Sequence, residues 1–234
     1  MTTPILEIEN LNGSFPSKQV LHNINLTLQP GRKLALVGEG GSGKTVLSQG
    51  IMRLNPMVTF EGRLKYCGTD LLTQPERALQ KLRGREIGMV FQEPMTALNP
   101  VMRVGEQIAE VLSLHLGLDK KQAWARAIEL LDETGIHQPE QKAQAYPFQL
   151  SGGQRQRAMI AMAVSAQPKL LIADEPTTAL DVAVQAQILD LLSRLQEEHG
   201  MTMLYITHDL NLVRRFADDV AVIRNGRLLE TGKA

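Results

Sequence analysis

The chain has 234 residues, of which 43% are hydrophobic and 21% are charged. This composition is typical of a soluble globular protein, and the length suits one large domain or a core with an inserted subdomain. Lysine plus arginine and aspartate plus glutamate each number 25, so the formal net charge is zero. That balance argues against broad electrostatic capture of nucleic acid or of an anionic membrane.

One cysteine, Cys67, excludes a disulfide framework within the chain and fits a reducing compartment. We expect it to be an inert, partly buried thiol. No apolar run approaches the roughly 20 residues that span a bilayer, so the chain itself is expected to be soluble and cytoplasmic.

The N-terminal part of the chain carries the patterns of strands. Ile5–Glu9 alternates apolar and acidic residues, which predicts a half-buried strand, and a loop is expected around Gly13 and Pro16. Ile24–Leu28 alternates again. Leu34–Val37 is wholly apolar, the pattern of a parallel strand covered on both faces.

The middle of the chain is helical in pattern. Val104–Leu118 and Lys120–Thr134 predict two helices, with Asp119 as the N-cap of the second and Gly135 as its stop signal. These residues indicate an α-helical insertion at about residues 95–160.

After Ser151 the pattern becomes α/β again. The predicted elements are a helix at Gln154–Val164, a strand at Leu170–Ala173, a helix with Ile188, Leu191, Leu192 and Leu195 on one stripe, a strand at Met201–Ile206, a short helix from Asp209 to Phe216, and a hairpin of Val220–Ile223 and Arg227–Glu230 around Asn225-Gly226. The fold class is α/β with a helical subdomain.

A glycine-rich loop follows the apolar strand Leu34–Val37. The segment from Gly38 to Thr45 matches G-x-x-x-x-G-K-[ST], in which backbone N–H groups point inward at a triphosphate. Lys44 would bridge the β- and γ-phosphates and Thr45 would ligate Mg²⁺. The loop residues expected to contact the nucleotide are Gly38, Gly40, Gly41, Ser42, Gly43, Lys44 and Thr45.

The same loop also satisfies G-x-G-x-x-G through Gly38, Gly40 and Gly43, with Glu61 downstream, which is the pattern of a dinucleotide site. That alternative is weaker because it leaves Lys44 and the later motifs unexplained.

Two carboxylates end an apolar strand at Asp174 and Glu175. At the carboxyl edge of a parallel sheet such groups face the ligand crevice. Asp174 would hold Mg²⁺ and Glu175 would polarise the attacking water. Taken alone, the pair could also be two solvated acids.

These motifs and their order resemble the nucleotide-binding domain of ABC transporters over essentially the whole chain. The features that carry the resemblance are the phosphate loop, Gln92, the segment Leu150–Gln154, Asp174-Glu175, Ala179-Leu180-Asp181 and His208. The resemblance implies a P-loop NTPase core with a parallel sheet, an antiparallel N-terminal β subdomain and an inserted α-helical subdomain, together forming one domain over residues 1–234.

The resemblance also assigns roles within one chain. Phe15 would stack on adenine, although a core phenylalanine is the alternative. Gln92 would touch the γ-phosphate region and its Mg²⁺ and link it to the helical subdomain, whereas alone it could be a surface residue. His208 would touch the γ-phosphate and hold Glu175 and the water in place.

Other roles fall across a dimer. The resemblance implies that Ser151, Gly152, Gly153 and Gln154 cover the γ-phosphate bound by a second ATPase domain, and that Asp181 lies at the dimer interface. A simple helix cap is the alternative at both Ser151 and Asp181.

Finer motifs resemble the ATPases of oligopeptide, dipeptide and nickel importers, and in places the first half of the tandem Yej-type peptide importers. They are Glu93–Pro100, Tyr146–Leu150, Thr177–Gln187 and Glu110–His115. The resemblance implies ATP and Mg²⁺ as cofactors and integral-membrane permeases as partners. A periplasmic or extracellular binding protein would act indirectly, nucleic acid would not be a partner, and the location would be the cytoplasmic face of the inner membrane.

Three features depart from that family pattern. Gly40 stands where serine is usual, Phe148 stands where histidine is common, and the chain stops at Ala234 although the family continues, so we expect a C-terminal truncation. A soluble ABC ATPase acting on nucleic acid or ribosomes is the alternative function. A regulator that binds nucleotide without hydrolysing it is disfavoured because Lys44, Asp174, Glu175 and His208 are intact.

Overall fold

A computed structural model describes residues 3–178 and 180–234 of the chain. The described residues form ten strands and nine α-helices, numbered here in chain order. The strands are β1 Leu6–Phe15, β2 Lys18–Leu28, β3 Lys33–Val37, β4 Thr59–Tyr66, β5 Thr69–Asp70, β6 Ile87–Val90, β7 Leu170–Asp174, β8 Thr202–Thr207, β9 Asp219–Arg224 and β10 Arg227–Lys233. The helices are α1 Lys44–Met52, α2 Glu76–Leu82, α3 Pro94–Ala97, α4 Val104–Leu116, α5 Lys120–Glu133, α6 Pro139–Gln144, α7 Gly152–Val164, α8 Val182–His199 and α9 Leu210–Phe216.

The N-terminal strands form an antiparallel sheet in the order β2-β1-β4-β5. The predicted loop is confirmed at Pro16, which forms a turn with Ser17, and is wrong at Gly13, because β1 runs on to Phe15 before β2 begins at Lys18. Register shifts between Ile8 and Ser14 interrupt the pairing with β2, and Asn10 has a positive φ of 50°. Such bulges break the two-residue alternation, which is why the pattern ended early in the sequence.

The second sheet has the order β10-β9-β3-β8-β7-β6, and its strands from β9 to β6 are parallel. The predicted C-terminal hairpin is confirmed as β9 and β10, joined by Asn225-Gly226 with positive φ at both residues. β3, β8, β7 and β6 are therefore neighbours. Their carboxyl ends lie along one edge of the sheet, and this edge positions the site described below.

Two apolar clusters cover the faces of the parallel sheet. One packs β3 and its neighbours against α1 and the antiparallel sheet, and the other packs the opposite face against α7 and α8. Strands buried on both faces explain the uninterrupted apolar runs of Leu34–Val37 and Leu170–Ala173.

Helices α3 to α7 lie between β6 and β7 in the chain, and α4, α5, α6 and α7 share an apolar cluster of their own. The two predicted helices are confirmed, and Gly117, with φ of 68°, ends α4 two residues before Asp119.

The division into a core with an inserted subdomain stays a prediction. In the part of the chain that the structure describes, no helix combines the length and apolarity needed to cross a bilayer.

Cys67 is exposed, so the expectation of a partly buried thiol is wrong. Cys67 and Gly68 both have positive φ, 47° and 80°, and form the two-residue turn between β4 and β5. Such a turn directs its side chains to solvent, and the sequence around β4 and β5 gave no strand prediction from which the turn could have been recognised.

The N-cap of α5 provides a test of the fold. The Asp119 carboxylate accepts from the amides of Lys121 and Gln122, each at 2.9 Å. Asp119→Ala should lower the free energy of unfolding by about 1 kcal/mol, because two first-turn N–H groups lose their acceptor. For a domain of this size the melting temperature should fall by roughly 2–4 °C in calorimetry.

Asp132→Ala is the matched control, because Asp132 is an exposed acid in the last turn of the same helix. A carboxylate there opposes the helix dipole, so its removal should leave the melting temperature unchanged or slightly raised. Equal losses in both variants would contradict the capping assignment.

Candidate functional site

The phosphate loop joins β3 to the first turn of α1. Gly43 is the N-cap of α1 with φ of 105°, and no side chain caps the helix. The first-turn N–H groups therefore remain open toward the loop, where an anion can accept from them. At Gly38 a Cβ atom would lie 2.3 Å from the carbonyl oxygen of Ile223, so the loop can pass this point only as glycine.

Lys44 lies inside this loop, with only 5% of its side chain exposed. Its Nζ donates to the carbonyl oxygens of Gly38 at 2.7 Å and Glu39 at 3.0 Å, and it lies 3.5 Å from Oε1 of Glu175. The ammonium group thus holds the loop in shape and offers a positive charge where the first-turn amides of α1 converge.

Glu175 follows the last residue of β7 and lies between the ends of its neighbours. Gln92 follows β6 and donates from Nε2 to Oε2 of Glu175 at 3.3 Å. His208 follows β8, and its Nδ1 lies 3.3 Å from the same oxygen. Gln92 and His208, which follow the two strands on either side of β7, therefore meet at the Glu175 carboxylate, as the sheet order requires.

Asp174, the residue before Glu175, is buried at the end of β7. Its Oδ2 accepts from the hydroxyl of Ser48 at 2.8 Å, while Oδ1 is buried without a hydrogen-bond partner among the described residues. Burial raises the pKa of the Asp174 carboxyl, and the adjacent Glu175 charge adds to this rise. A cation at Oδ1 would satisfy the free oxygen and reverse the shift.

Lys44, Gln92, Glu175 and His208 line one cavity of about 540 Å³, and Asp174 is not part of its wall. Its walls are Val20, Gly40, Gly41, Gly43, Lys44, Thr45, Val46, Gln92, Glu175 and His208. Ser42 is buried behind the loop, and its hydroxyl has no hydrogen-bond partner among the residues that the structure describes. Gly38 lies in a neighbouring cavity shared with β9 and β10.

Ser151, Gly152, Gly153 and Gln154 lie outside this cavity, at the exposed N-terminus of α7. The Ser151 hydroxyl accepts from the Gln154 amide at 3.3 Å, and the Gln154 side chain accepts from the Ser151 amide at 3.1 Å. Asp181 likewise caps α8 by accepting from the Val184 amide at 2.9 Å. The capping alternative is thus confirmed at both places, and the dimer roles of these residues stay predictions. Ala179, part of the same motif, lies outside the described residues.

Phe15 ends β1, opposite Lys18, and is half-buried. It lines neither the cavity nor the buried core, and Val20 from β2 is the apolar side chain at the cavity wall. The role of Phe15 toward a base stays a prediction.

No role in the site was predicted for four of its residues: Val20, Val46, Ser48 and Thr178. Ser48 lies three residues after Thr45 on α1, a spacing that puts both on one helix face. Thr178 donates from its hydroxyl to Oε2 of Glu175 at 3.0 Å, three residues away within the same turn. Val20 carried no signal, because only the β2 hairpin brings it to the loop.

The fold and this site define a P-loop nucleotide-binding domain with a carboxylate aimed at the phosphate loop. A sequence model of the family described as "ABC transporter" matches residues 21–178, and the chain belongs to that family.

Curated relatives are about half identical to the chain over the aligned residues. It is 50% identical to the peptidoglycan transport ATP-binding protein YejF of Agrobacterium fabrum, over 99% of this chain and 44% of that protein. It is 49% identical to the oligopeptide transport ATP-binding protein OppD of Bacillus subtilis, over 98% of this chain and 66% of that protein. A putative peptide import ATP-binding protein of Brucella melitensis is 48% identical, with 71% of its length covered. The chain therefore spans less than two thirds of the first two relatives.

Solved structures give the same fold. The ATP-binding cassette MJ0796, in a dimeric post-hydrolysis state bound to ADP and phosphate, matches with a TM-score of 0.87 and 30% identity, covering 97% of this chain and 98% of that one. The cbiO1 protein of Clostridium perfringens, part of the transporter complex cbiONQ, matches with a TM-score of 0.83 and 29% identity, covering 99% and 89%.

Lys44 provides the test of the nucleotide site. Lys44→Ala should weaken ATP binding about 100-fold, because a buried charge that faces the phosphates is lost. Titration with a fluorescent ATP analogue measures this. Lys121→Ala, an exposed lysine of α5, should bind as the parent does. Unchanged affinity in Lys44→Ala would contradict the phosphate-loop assignment.

Proposed function

We propose that this chain is the ATP-hydrolysing subunit of an ABC importer for peptides, and that it acts as a face-to-face dimer. The observation that carries the proposal is the Glu175 carboxylate, which faces Lys44 of the phosphate loop at 3.5 Å with Gln92 and His208 beside it. A carboxylate held next to a phosphate-binding lysine is placed to accept a proton from a water that attacks the γ-phosphate.

The proposed hydrolysis step involves ATP, one water and these residues. ATP takes the place of Glu175 as the anionic partner of Lys44, and the amides of the loop and of the first turn of α1 donate to the phosphates. A water gives one proton to Glu175 as its oxygen bonds to the γ-phosphorus. The bond from that phosphorus to the bridging oxygen breaks, and the electron pair leaves with ADP.

The donor set at the loop fits Mg²⁺. The buried Oδ1 of Asp174 has no hydrogen-bond partner among the described residues, and Thr45 and Gln92, which also carry side-chain oxygens, line the cavity of the phosphate loop. Within the described ranges no three His, Cys, Asp or Glu side chains form a metal cage. One carboxylate with hydroxyl and amide oxygens suits a magnesium ion that also binds phosphates and water. The ion would neutralise charge on the leaving phosphates.

The second half of the site would come from another subunit. Ser151, Gly152 and Gly153 are at an exposed helix N-terminus and do not line the cavity of their own chain. The N–H groups of Gly152 and Gly153 suit an anion, because the capping box engages only those of Ser151 and Gln154. In a face-to-face dimer they would cover the γ-phosphate bound by the partner, and ATP would then be part of the interface.

Glu175→Gln tests this mechanism. The variant should bind ATP and Mg²⁺ but turn over at least about 100-fold more slowly, because an amide cannot accept the water proton. ATP should then accumulate in the interface, and size-exclusion chromatography should show a dimer that requires ATP.

Glu230→Gln is the matched control, since Glu230 is exposed on the edge strand β10. It should hydrolyse ATP as the parent does and dissociate after turnover. Parent-like hydrolysis by Glu175→Gln would remove the general-base assignment, and a monomer at saturating ATP would remove the dimer.

The transport role rests on the relatives and on the surface next to Gln92. The relatives described above are named for peptidoglycan, oligopeptide and peptide transport. Met95 and Val101, which follow Gln92, are 45% and 79% exposed. Apolar side chains at this place suit a permease on the cytoplasmic face of the membrane, which would sense Gln92 and the γ-phosphate. No observation favours the nucleic-acid alternative, and the net charge is zero.

A reconstitution separates peptide from nickel transport. With its two permeases in liposomes, the ATPase should be stimulated several-fold by a binding protein loaded with peptide. Stimulation by a nickel-loaded binding protein instead would overturn the peptide assignment and leave the ATPase assignment in place.

A further inference from the structure

Thr178 lies four residues after the end of β7, in the turn that begins at Glu175. Its backbone N–H donates to the Glu175 carbonyl oxygen at 3.2 Å, and its side-chain hydroxyl donates to Oε2 of the same residue at 3.0 Å. The hydroxyl is partly buried, and the side chain of Glu175 is mostly buried. It makes the shortest of the three contacts at Oε2, since Gln92 and His208 both lie at 3.3 Å.

The backbone of Glu175 is fixed, but its side chain has three torsions of its own. Glu175 has a φ of 45°, an uncommon conformation for a residue with a Cβ atom. Its amide donates to the Ile206 carbonyl oxygen at 2.9 Å, and Gln185 of α8 donates to the Thr177 carbonyl oxygen at 3.2 Å. These bonds hold the turn against β8 and α8. A separate contact is needed to hold the carboxylate.

Thr178 supplies that contact from within the turn itself. Gln92 and His208 reach the carboxylate from the ends of two other strands, so any shift of those segments moves their donors. The Thr178 hydroxyl moves with Glu175 because both belong to one four-residue turn. It is therefore the donor that stays in place when the surroundings of the nucleotide change.

The contacts also divide the two carboxylate oxygens. Oε2 has three polar partners, whereas Oε1 faces Lys44 at 3.5 Å. Once Lys44 turns to the phosphates, Oε1 is the oxygen with open acceptor capacity on the side of the phosphate loop.

We propose that Thr178 is a positioning residue for ATP hydrolysis: it anchors Oε2 of Glu175, so that Oε1 takes the proton of the attacking water. This rests on the proposed ATPase function. The proton passes from water to Oε1, the water oxygen bonds to the γ-phosphorus, and the electron pair of the broken bond leaves with ADP. Thr178 stays bonded to Oε2 throughout and gains or loses no proton.

Thr178→Val tests the proposal, because valine keeps the shape and removes only the donor. The turnover number should fall about tenfold, as expected for a lost hydrogen bond to a charged acceptor, while KM for ATP stays within about twofold. Thr178→Ser, which keeps the hydroxyl, should recover most of the turnover number. ADP affinity and the melting temperature are measured on each variant, because neither depends on Glu175 accepting a proton.

Thr73→Val is the matched control. Thr73 is exposed and its hydroxyl donates to the Asp70 carbonyl oxygen at 3.1 Å, so it closes a turn over the same three-residue spacing, far from the cavity. This variant should hydrolyse ATP at the parent rate.

Three outcomes would overturn the proposal. They are parent-like turnover in Thr178→Val, equal losses in the valine and serine variants, and a loss that follows the melting temperature or ADP affinity. If the parent hydrolyses ATP and Glu175→Gln does not, any of these removes only the role of Thr178. If the parent itself shows no hydrolysis, the proposed function fails first.

Discussion

The carboxylate of Glu175 is the point on which the rest of the site depends. It is 14% exposed, and Lys44, Gln92, Thr178 and His208 all place a polar atom within 3.5 Å of it. A nearly buried carboxylate is costly unless opposite charge and hydrogen bonds compensate it. The order of four parallel strands brings these groups together. Because Lys44 supplies the opposite charge, Glu175 and an incoming phosphate would compete for this lysine.

Lys44 is shared among two loop carbonyls and Glu175. A triphosphate offers it a stronger anionic partner, and under the proposed function Glu175 is then left free to act on water. A cation is favourable at Asp174 as well, because burial raises the pKa of its carboxyl and Oδ1 has no hydrogen-bond partner in the described part of the chain. The neutralisation of the Asp174 and Glu175 carboxylates and the binding of a phosphate are thus linked, because Glu175 and the phosphate share Lys44.

The parts of this site that the sequence predicts are those fixed by local rules. The loop from Gly38 to Thr45 follows an apolar strand, and the two carboxylates end another. Because the carboxyl ends of parallel strands face the ligand crevice, these positions can be assigned to the site before the fold is known. The caps at Asp119, Ser151 and Asp181 follow from side chains that satisfy amides three residues away. The resemblance to a family was needed for Gln92 and His208, because a lone glutamine or histidine carries no spacing signal.

What could not be predicted depends on contacts between distant segments or on small irregularities. The extension of β1 to Phe15 was not predicted, because bulges near Asn10 break the alternation of apolar and polar residues. Cys67 was misjudged because the turn that exposes it joins two strands with no clear pattern. The contact of Thr178 with Glu175 was not predicted, because it depends on the left-handed backbone of Glu175. That conformation brings the carboxylate back over its own turn and cannot be inferred from residue type.

Two helix N-termini differ in a way that bears on assembly. α1 begins at Gly43 without a side-chain cap, and its first turn lines the cavity of its own chain. α7 begins at Ser151 with a complete capping box, and Ser151 and Gly152 are exposed. Under the proposed function, the first of these ends binds the phosphates in its own chain and the second meets those bound by the neighbour. Under the proposed function, ATP binds the closed pair more tightly than the open one, and this difference in affinity is the free energy available to move a permease. Hydrolysis removes the γ-phosphate from between the two ends, so the interaction that closes the dimer is also the one that the reaction destroys.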